Sequence, residues 1–384
     1  MIPYARHEVT EEDIAAVVEV LRSDRLTQGP VVERFEAALC EATGARYAVA
    51  MSSGTAALEA IFHALDRRGA EVVMPAMTFP ATANAAVWAD WRPVFADIER
   101  ETACLSARCA ERLCGPQTAA LLAMDYAGHP AAWHELRRIA RPRGLVLIAD
   151  ACHSLGAVLD GLKLGEYADI AALSFHAAKV ITTGEGGAVV TSNALWAECA
   201  RRFRDQGYAR GAEVAAGPGR HHGEQWVLGH NYRMTEMQAA LGLAQLRRLP
   251  QILERRRQIA ARYSEHLAPV EGLVLPRERE GARSAWHLYA VRYPWAQCEC
   301  PGLTRERAMG LVREAGVETQ IHYAPVYQHP YYRLHVGAGP EWDAIRETEG
   351  HYRECLTLPL YPSMTDADVD FVAHALIKII DGGK

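Results

Sequence analysis

Long apolar segments and an excess of basic residues are both missing from this sequence of 384 residues. No apolar run approaches the length of a membrane span, and no signal-like apolar region occurs in the opening residues, MIPYARHEVTEED. The 41 lysines and arginines are outnumbered by 47 aspartates and glutamates, which gives a net charge of −6. This balance excludes a broadly basic nucleic-acid binder but allows a local anion site. We therefore expect a cytoplasmic protein that binds neither nucleic acid nor a membrane.

Paired cysteines and the common nucleotide-binding glycine motifs are also absent. The nine cysteines are scattered, and Cys298 and Cys300 lack a second pair at zinc-ribbon spacing, so we expect reduced thiols and no metal site. No GxGxxG follows a predicted strand and GxxxxGK[ST] does not occur, which argues against nicotinamide and P-loop functions. His221 and His222 could bind a metal, but we interpret them as part of a mobile loop near the substrate entrance.

The overall composition, with 49% hydrophobic and 23% charged residues, is typical of a soluble globular protein. The length suggests two domains. Through roughly the first 240 residues, short apolar runs alternate with amphipathic segments. This alternation predicts a mainly parallel sheet covered by helices on both faces. The expected strands are 47–51, 71–74, 93–97, 119–124, 145–150, 170–175 and 188–191, and the expected helices include 11–22, 31–43, 55–68, 131–141 and 194–206.

A long helical stretch at 235–267, interrupted at Pro250, is interpreted as the passage between the domains. The predicted division is a large domain over residues 1–248 and a smaller C-terminal α/β domain over residues 249–384. In the smaller domain the expected strands are 285–293, 318–322 and 355–358, and the expected helices are 304–315, 342–353 and 366–380.

One lysine lies between two apolar runs in the stretch 169–191, DIAALSFHAAKVITTGEGGAVVT. Lys179 would therefore stand where two buried strands turn back, in surroundings that disfavour its charged form. Such an amine is a better nucleophile toward a carbonyl. The alternative is a solvated loop lysine before an ordinary hairpin.

A carboxylate ends the apolar run LVLIAD at residues 145–150. Asp150, at the carboxyl end of a parallel strand, would point into the crevice where such folds bind ligands. It could instead cap the next helix. Together with Lys179, however, it could hold the ring nitrogen of a pyridine cofactor protonated while the lysine holds the cofactor aldehyde.

Such a cofactor also needs a phosphate site and a stacking partner. SSGTAAL at 52–58 follows a predicted strand and opens a helix, so Gly54 permits close backbone approach and the helix N-terminus supplies free N–H groups. Phe79, which begins another helix, could stack on the ring or could belong to the core.

These motifs together resemble the DegT/DnrJ-type sugar-nucleotide aminotransferases, which are fold-type I pyridoxal-phosphate (PLP) enzymes. The resemblance rests on SSGTAAL, TFPATANA, DACHSLGA, SFHAAKVITTGEGGAVV and GHNYRMTEMQAALGLAQL, and runs from about Tyr4 to the last predicted helix. Within the family, DRLTQG, DYAG, SFHAAK and IHYAPVYQ are most similar to the pseudaminic-acid branch. The family implies a homodimer whose active sites are shared between subunits.

The resemblance implies roles for individual residues. Lys179 matches the lysine that forms the Schiff base, and Asp150 the partner of the pyridine nitrogen. The remaining cofactor contacts that it implies are His153 near the ring oxygen, Phe79 on the ring face, Gly54, Thr55 and Ser174 at the phosphate, and Asn231 from the neighbouring subunit. Asn231 could also be a loop residue that caps the following helix.

For the sugar nucleotide, the implied contacts are Tyr4, Asp24, Arg25, Leu26, Thr27, Ser53, His176, Asn231, His322, Tyr323, Ala324 and Pro325. His176 could equally be a packed residue at a strand end. Ala324 departs from the pattern, because a larger polar residue is expected there, so that contact would be through the backbone.

The function implied is transfer of the amino group of L-glutamate to C4 of a UDP-linked 4-keto-6-deoxy-N-acetylhexosamine. One alternative is another nucleotide-linked keto-sugar. Sugar dehydratases of the family carry a histidine in place of Lys179, which argues against that activity. A non-catalytic PLP-binding regulator would need a DNA-binding module, and the sequence contains neither a helix-turn-helix domain nor a basic tail.

Overall fold

A seven-stranded sheet forms the centre of the larger part of the molecule. The computed structural model describes residues 1–208, 224–295, 302–336 and 345–382, so the predictions for His221, His222, Cys298 and Cys300 lie outside the described residues. The strands of the large sheet are β1 (Tyr47–Met51), β2 (Glu71–Pro75), β3 (Arg92–Ala96), β4 (Thr118–Met124), β5 (Val146–Asp150), β7 (Ile170–Ser174) and β8 (Gly187–Thr191). Their order is β1-β8-β7-β5-β4-β2-β3, and β8 alone among them runs against the rest.

Helices cover both faces of this sheet, as predicted. Successive residues of β4 belong to two different cores: Leu121 and Ala123 pack on one side, and Ala120 and Leu122 on the other. The covering helices are α1 (Glu11–Leu21), α2 (Pro30–Thr43), α3 (Gly54–Leu65), α4 (Pro80–Trp88), α5 (Ala107–Leu113), α6 (Trp133–Arg143), α7 (Leu164–Tyr167), α8 (Ala194–Arg204) and α9 (Glu236–Arg247). Because neither face meets water, all seven residues of β4 are buried.

A third core lies beyond α9, around the long helix α10 (Leu249–Leu267), in which Pro250 occupies the first turn and is tolerated there. The later elements of the chain are β10 (Tyr289–Arg292), α11 (Arg305–Glu314), α12 (Pro330–His335), α13 (Arg346–Glu354), β11 (Cys355–Leu358) and α14 (Asp366–Ile380). Tyr332 of α12 packs in a core of the large sheet instead. β6 (Val158–Leu159) and β9 (Ala282–Arg283) form a separate small ladder. The division between residues 248 and 249 stays a prediction.

The strand predicted at 318–322 is wrong. Gln320 alone pairs with Thr357, through two backbone hydrogen bonds of 3.2 and 2.8 Å, while the preceding Val317 pairs with Ile2 instead. The segment therefore changes partner after one bridge and cannot continue a ladder. The strand predicted at 285–293 is also shorter, since only Tyr289–Arg292 pairs with β11. No helix among the described residues has the length and apolar character needed to cross a membrane.

Candidate active site

A cavity of about 410 Å³ opens at the carboxyl ends of β4, β5 and β7. This edge of a parallel sheet is where such folds bind ligands. The predicted site residues that line it are Tyr4, Ser53, Gly54, Thr55, Phe79, Asp150, His153, Ser174, His176, Lys179, His322 and Tyr323. The structure thus brings together twelve of the positions that the sequence singled out.

Asp150 ends β5 and is only 2% exposed. Its two carboxylate oxygens accept hydrogen bonds from different parts of the chain: Oδ2 from the hydroxyl of Thr82 at 2.6 Å, and Oδ1 from the backbone N–H of Cys152 at 3.2 Å. The chain after Asp150 forms turns, and the next helix is α7, so Asp150 does not cap a helix. A buried carboxylate at a cavity wall can accept a further hydrogen bond from a cationic group.

Lys179 lies in the turn between β7 and β8, where its backbone N–H bonds to the carbonyl of His176 at 2.9 Å. The residue as a whole is half-buried, but its amine reaches into the cavity. Burial lowers the pKa of Lys179, and the nearby Cys152 and Asp150 oppose that effect only in part. The solvated-lysine interpretation therefore does not hold, because a larger share of the amine is uncharged than in free lysine.

The N-terminus of α3 forms a small cradle beside Ser174. Ser53 caps the helix, its hydroxyl accepting from the N–H of Ala56 at 3.1 Å, and the N–H groups of Gly54 and Thr55 precede the first intrahelical bonds. A Cβ on Gly54 would lie 2.8 Å from the Cβ of Ser174, so only glycine fits there without displacing the neighbouring chain. Free N–H groups at such a terminus suit a phosphate.

His153 is fully buried in the opposite wall. Its Nε2 lies 3.0 Å from the hydroxyl of Tyr323, and its ring packs on that of His287 with centroids 4.3 Å apart. Burial holds the pKa of His153 well below its usual value, with Lys179 and His322 adding to the shift. Its Nδ1 has no partner among the described residues and is available to a ligand.

Phe79 and Tyr323 form the aromatic rim of the cavity. Phe79 is 55% exposed although it is apolar, and its ring meets that of Tyr323 edge-on at 5.9 Å. An exposed aromatic face beside a cavity offers a surface for a flat ligand ring. The alternative that Phe79 belongs to the core is therefore wrong.

A second chain of hydrogen bonds fixes His322 in the lining of the cavity. Its Nε2 lies 3.1 Å from the hydroxyl of Tyr4, and its Nδ1 lies 2.9 Å from the hydroxyl of Thr357. Burial lowers the pKa of His322 to about 3 and raises the pKa of Tyr4 to about 12. Both groups are therefore neutral near pH 7 and can act as polar contacts without carrying charge.

His176 lines the cavity near Lys179 and is exposed. Its Nδ1 accepts the backbone N–H of Ala178 at 3.2 Å, which makes Nε2 the protonated nitrogen of the neutral ring. His176 is thus available to a ligand as a hydrogen-bond donor.

Several predicted contacts lie outside this cavity. Asp24 and Arg25 line a separate groove between α1, α2 and α9. Thr27 pairs with Thr235 nearby, and the carbonyl of Leu26 accepts the N–H of Glu236. Asn231 is exposed and pairs with Asp205. Ala324 and Pro325 follow Tyr323 without lining the cavity.

Eight of the lining residues were not anticipated, and Thr82, Cys152 and His287 are three of them. Thr82 lies within the quoted TFPATANA, three residues after Phe79, so helical spacing could have placed it on the same face of α4. Cys152 follows Asp150 by two residues. His287 lies in no motif, and nothing in the sequence indicates that it packs against His153.

Pyridoxal phosphate fits this set of residues. The cradle beside Gly54 suits the cofactor's phosphate, and the exposed ring of Phe79 suits the face of its pyridine ring. The unpartnered Nδ1 of His153 suits the oxygen on that ring. A buried carboxylate and a lysine with a lowered pKa line the same cavity and would suit the pyridine nitrogen and the aldehyde. Fold and site together define a PLP-dependent aminotransferase.

Comparison with known proteins narrows this class. The DegT/DnrJ/EryC1/StrS aminotransferase family matches residues 7–377, and the chain belongs to this family. It is 34% identical over 387 residues to the spore coat polysaccharide biosynthesis protein SpsC of Bacillus subtilis, covering 99% of this chain and 97% of the relative. The expected fold class, enzyme class and cofactor are thereby confirmed.

Two solved structures are similar along almost the whole chain. Helicobacter pylori PseC, an aminotransferase involved in the biosynthesis of pseudaminic acid, superposes with a TM-score of 0.89 at 29% identity, covering 99% of both chains. The PLP form of the putative sugar aminotransferase Spr1654 from Streptococcus pneumoniae superposes with a TM-score of 0.90 at 26% identity, covering 100% of this chain and 99% of the other. The protein is a sugar aminotransferase.

Proposed function

We propose that this enzyme transfers the amino group of L-glutamate to C4 of a UDP-linked 4-keto-6-deoxy-N-acetylhexosamine. The product would be UDP-4-amino-4,6-dideoxy-N-acetyl-β-L-altrosamine. Lys179 at the sheet edge beside Asp150 is the observation that carries the transamination chemistry. The choice of sugar is supported by the full-length similarity to PseC and by the motifs DRLTQG, DYAG, SFHAAK and IHYAPVYQ.

In this proposal, the residues that line the cavity have different roles in the reaction. Bound PLP supplies an aldehyde that condenses with amines and a protonated ring that accepts an electron pair. The amine of Lys179 would hold the cofactor and, when free, would move a proton at the carbon that bears the substrate nitrogen. Asp150 keeps the ring nitrogen protonated and itself transfers no proton. Tyr4, His176 and His322 line the cavity, where they can donate to or accept from hydroxyl groups of the sugar.

The charges of the substrates indicate that a second subunit completes the site. Glutamate carries two carboxylates and the sugar nucleotide a diphosphate. Among the described lining residues, however, Lys179 is the one lysine and no arginine occurs, and the buried His153, His287 and His322 are neutral. Arg25 and Asn231 lie outside the cavity of their own subunit. We therefore propose a homodimer in which these residues serve the neighbouring site.

Another nucleotide-linked keto-sugar is the competing substrate. SpsC is 34% identical to this chain, against 29% for PseC, and its name refers to spore coat polysaccharide rather than to pseudaminic acid. Ala324 also departs from the residue expected at that position of the pseudaminic-acid branch.

Assays with a panel of nucleotide-linked keto sugars distinguish the proposed substrate from the competing one. The enzyme is incubated with L-glutamate and a set of UDP- and TDP-linked 4-keto sugars, and both 2-oxoglutarate and the amino sugar are measured, with Lys179→Ala as the inactive control. In the reverse direction, 2-oxoglutarate is supplied with 4-amino sugars whose configurations differ at C4, at C5 or at both. The proposal expects preference for the L-altro sugar. Preference for the D-gluco sugar would overturn the choice of substrate and leave the aminotransferase activity standing.

A further inference from the structure

Thr82 connects the first turn of α4 to the carboxylate at the end of β5. It is completely buried, and its hydroxyl donates to Oδ2 of Asp150 at 2.6 Å, across 68 positions of sequence. A threonine in a helix can satisfy its hydroxyl on the carbonyl four residues earlier, at Thr78, but Thr82 bonds to Asp150 instead. The hydroxyl is therefore directed at the carboxylate by the packing of α4 on the sheet.

Two donors from different elements hold the carboxylate of Asp150. Thr82 bonds to one oxygen and the backbone N–H of Cys152 to the other, so rotation of the carboxylate would break both bonds. Each oxygen keeps a second lone pair for a ligand in the cavity.

We propose that Thr82 is a positioning residue for the cofactor: its hydroxyl holds the carboxylate of Asp150 in the direction of the ring nitrogen of PLP. Without this hydrogen bond the carboxylate could turn away, which would weaken its contact with the ring nitrogen and leave the other contacts with the cofactor unchanged. This inference rests on the role proposed above for Asp150.

The test separates this role from a purely structural link between α4 and β5. Thr82→Val keeps the shape and removes the donor, whereas Thr82→Ser keeps the donor. The dissociation constants of each apoprotein are measured for PLP and for deazapyridoxal phosphate, in which carbon replaces the ring nitrogen. We expect Thr82→Val to weaken PLP binding about tenfold, to leave the deaza analogue unaffected, and Thr82→Ser to bind like the parent. Equal weakening of both ligands, or no weakening, overturns the proposal.

Two controls make the outcome specific. Thermal unfolding of the apoproteins shows whether Thr82→Val is folded. If Thr82→Val does not fold, comparison of Thr82→Ser with the parent protein reports on the hydroxyl. Asp150→Asn, measured with the same two ligands, tests the underlying assignment. If Asp150→Asn discriminates against PLP and Thr82→Val does not, the role of Thr82 alone is overturned. If Asp150→Asn binds both ligands as the parent does, the assignment of Asp150 fails as well.

Discussion

The amine of Lys179 lies in surroundings that oppose a positive charge, and few other lysines compete with it. The chain contains four lysines: Lys163, Lys179, Lys378 and Lys384. Because burial lowers the pKa of Lys179, it should react with the PLP aldehyde at a pH where solvent-exposed amines are still protonated. Borohydride reduction of the holoenzyme, followed by peptide mass mapping, should therefore place the cofactor on Lys179. Lys179→Ala should remain folded and lose turnover, and label on Lys163 instead would contradict the assignment.

Buried His129 makes stability depend on pH. Neither of its ring nitrogens has a partner among the described residues, and burial, helped by Arg279, lowers its pKa from 6.5 to about 4. The unfolded chain therefore takes up the proton first, so stability that is full above pH 6.5 is lost as the pH falls toward 4. Comparing thermal unfolding at about pH 7.5 and about pH 5, we expect a smaller fall in Tm for His129→Phe than for the parent. An equal fall in both proteins would show that His129 does not titrate in this way.

At the residue scale, the sequence predicts the site residues that lie at or just after the ends of strands. It misses those that reach the site through contacts between distant segments of the chain. Asp150 and Lys179 each follow an apolar strand, and parallel strands present such ends at one edge. Thr82 and His287 contact the same site through packing between distant segments, which no local pattern encodes.

At the scale of elements, α2 depends on a carboxylate supplied by α9. Its N-cap is Gly29, which has no side chain to accept the free N–H groups, and the buried Glu236 accepts from Gly29, Val31 and Val32 at 2.9 to 3.0 Å. A Cβ on Gly29 would lie 2.6 Å from a carboxylate oxygen of Glu236, so the glycine permits this approach. The two helices are therefore joined by an N-cap that sequence spacing cannot reveal.

Removing this carboxylate should destabilise the protein measurably. Glu236→Ala leaves three buried N–H groups without an acceptor, so we expect the free energy of unfolding to fall by about 3 kcal/mol. Glu33→Ala removes an exposed carboxylate from the first turn of α2 itself, and it should lower the free energy of unfolding by less than about 1 kcal/mol. Denaturant unfolding of both variants measures the difference. Equal effects would show that Glu236 is not needed as a cap.

Element prediction succeeded where burial is continuous. The predicted strand 47–51 matches β1 and the predicted helix 366–380 matches α14, because an unbroken apolar run or stripe defines each of them. The strand expected at 318–322 failed because Val317 and Gln320 pair with different partners, a tertiary choice that the sequence pattern does not contain.

At the scale of the whole molecule, the proposed dimer makes a prediction about mixed subunits. Asn231 is exposed and lies outside the cavity of its own chain, so in the proposed dimer it would act in the neighbouring site. Lys179→Ala and Asn231→Ala subunits should each be inactive when pure. In a mixed dimer, one site combines the intact Lys179 of one subunit with the intact Asn231 of the other, and the second site carries both defects. After equal mixing and random exchange, half of the dimers are mixed, so about a quarter of the parent activity should return.

Differently tagged subunits allow exchange to be verified by double affinity purification, and mixing Lys179→Ala with itself is the matched control. Full exchange without recovered activity would mean that each subunit builds its site alone, and the cations for the substrate carboxylates and diphosphate would then have to come from the same chain.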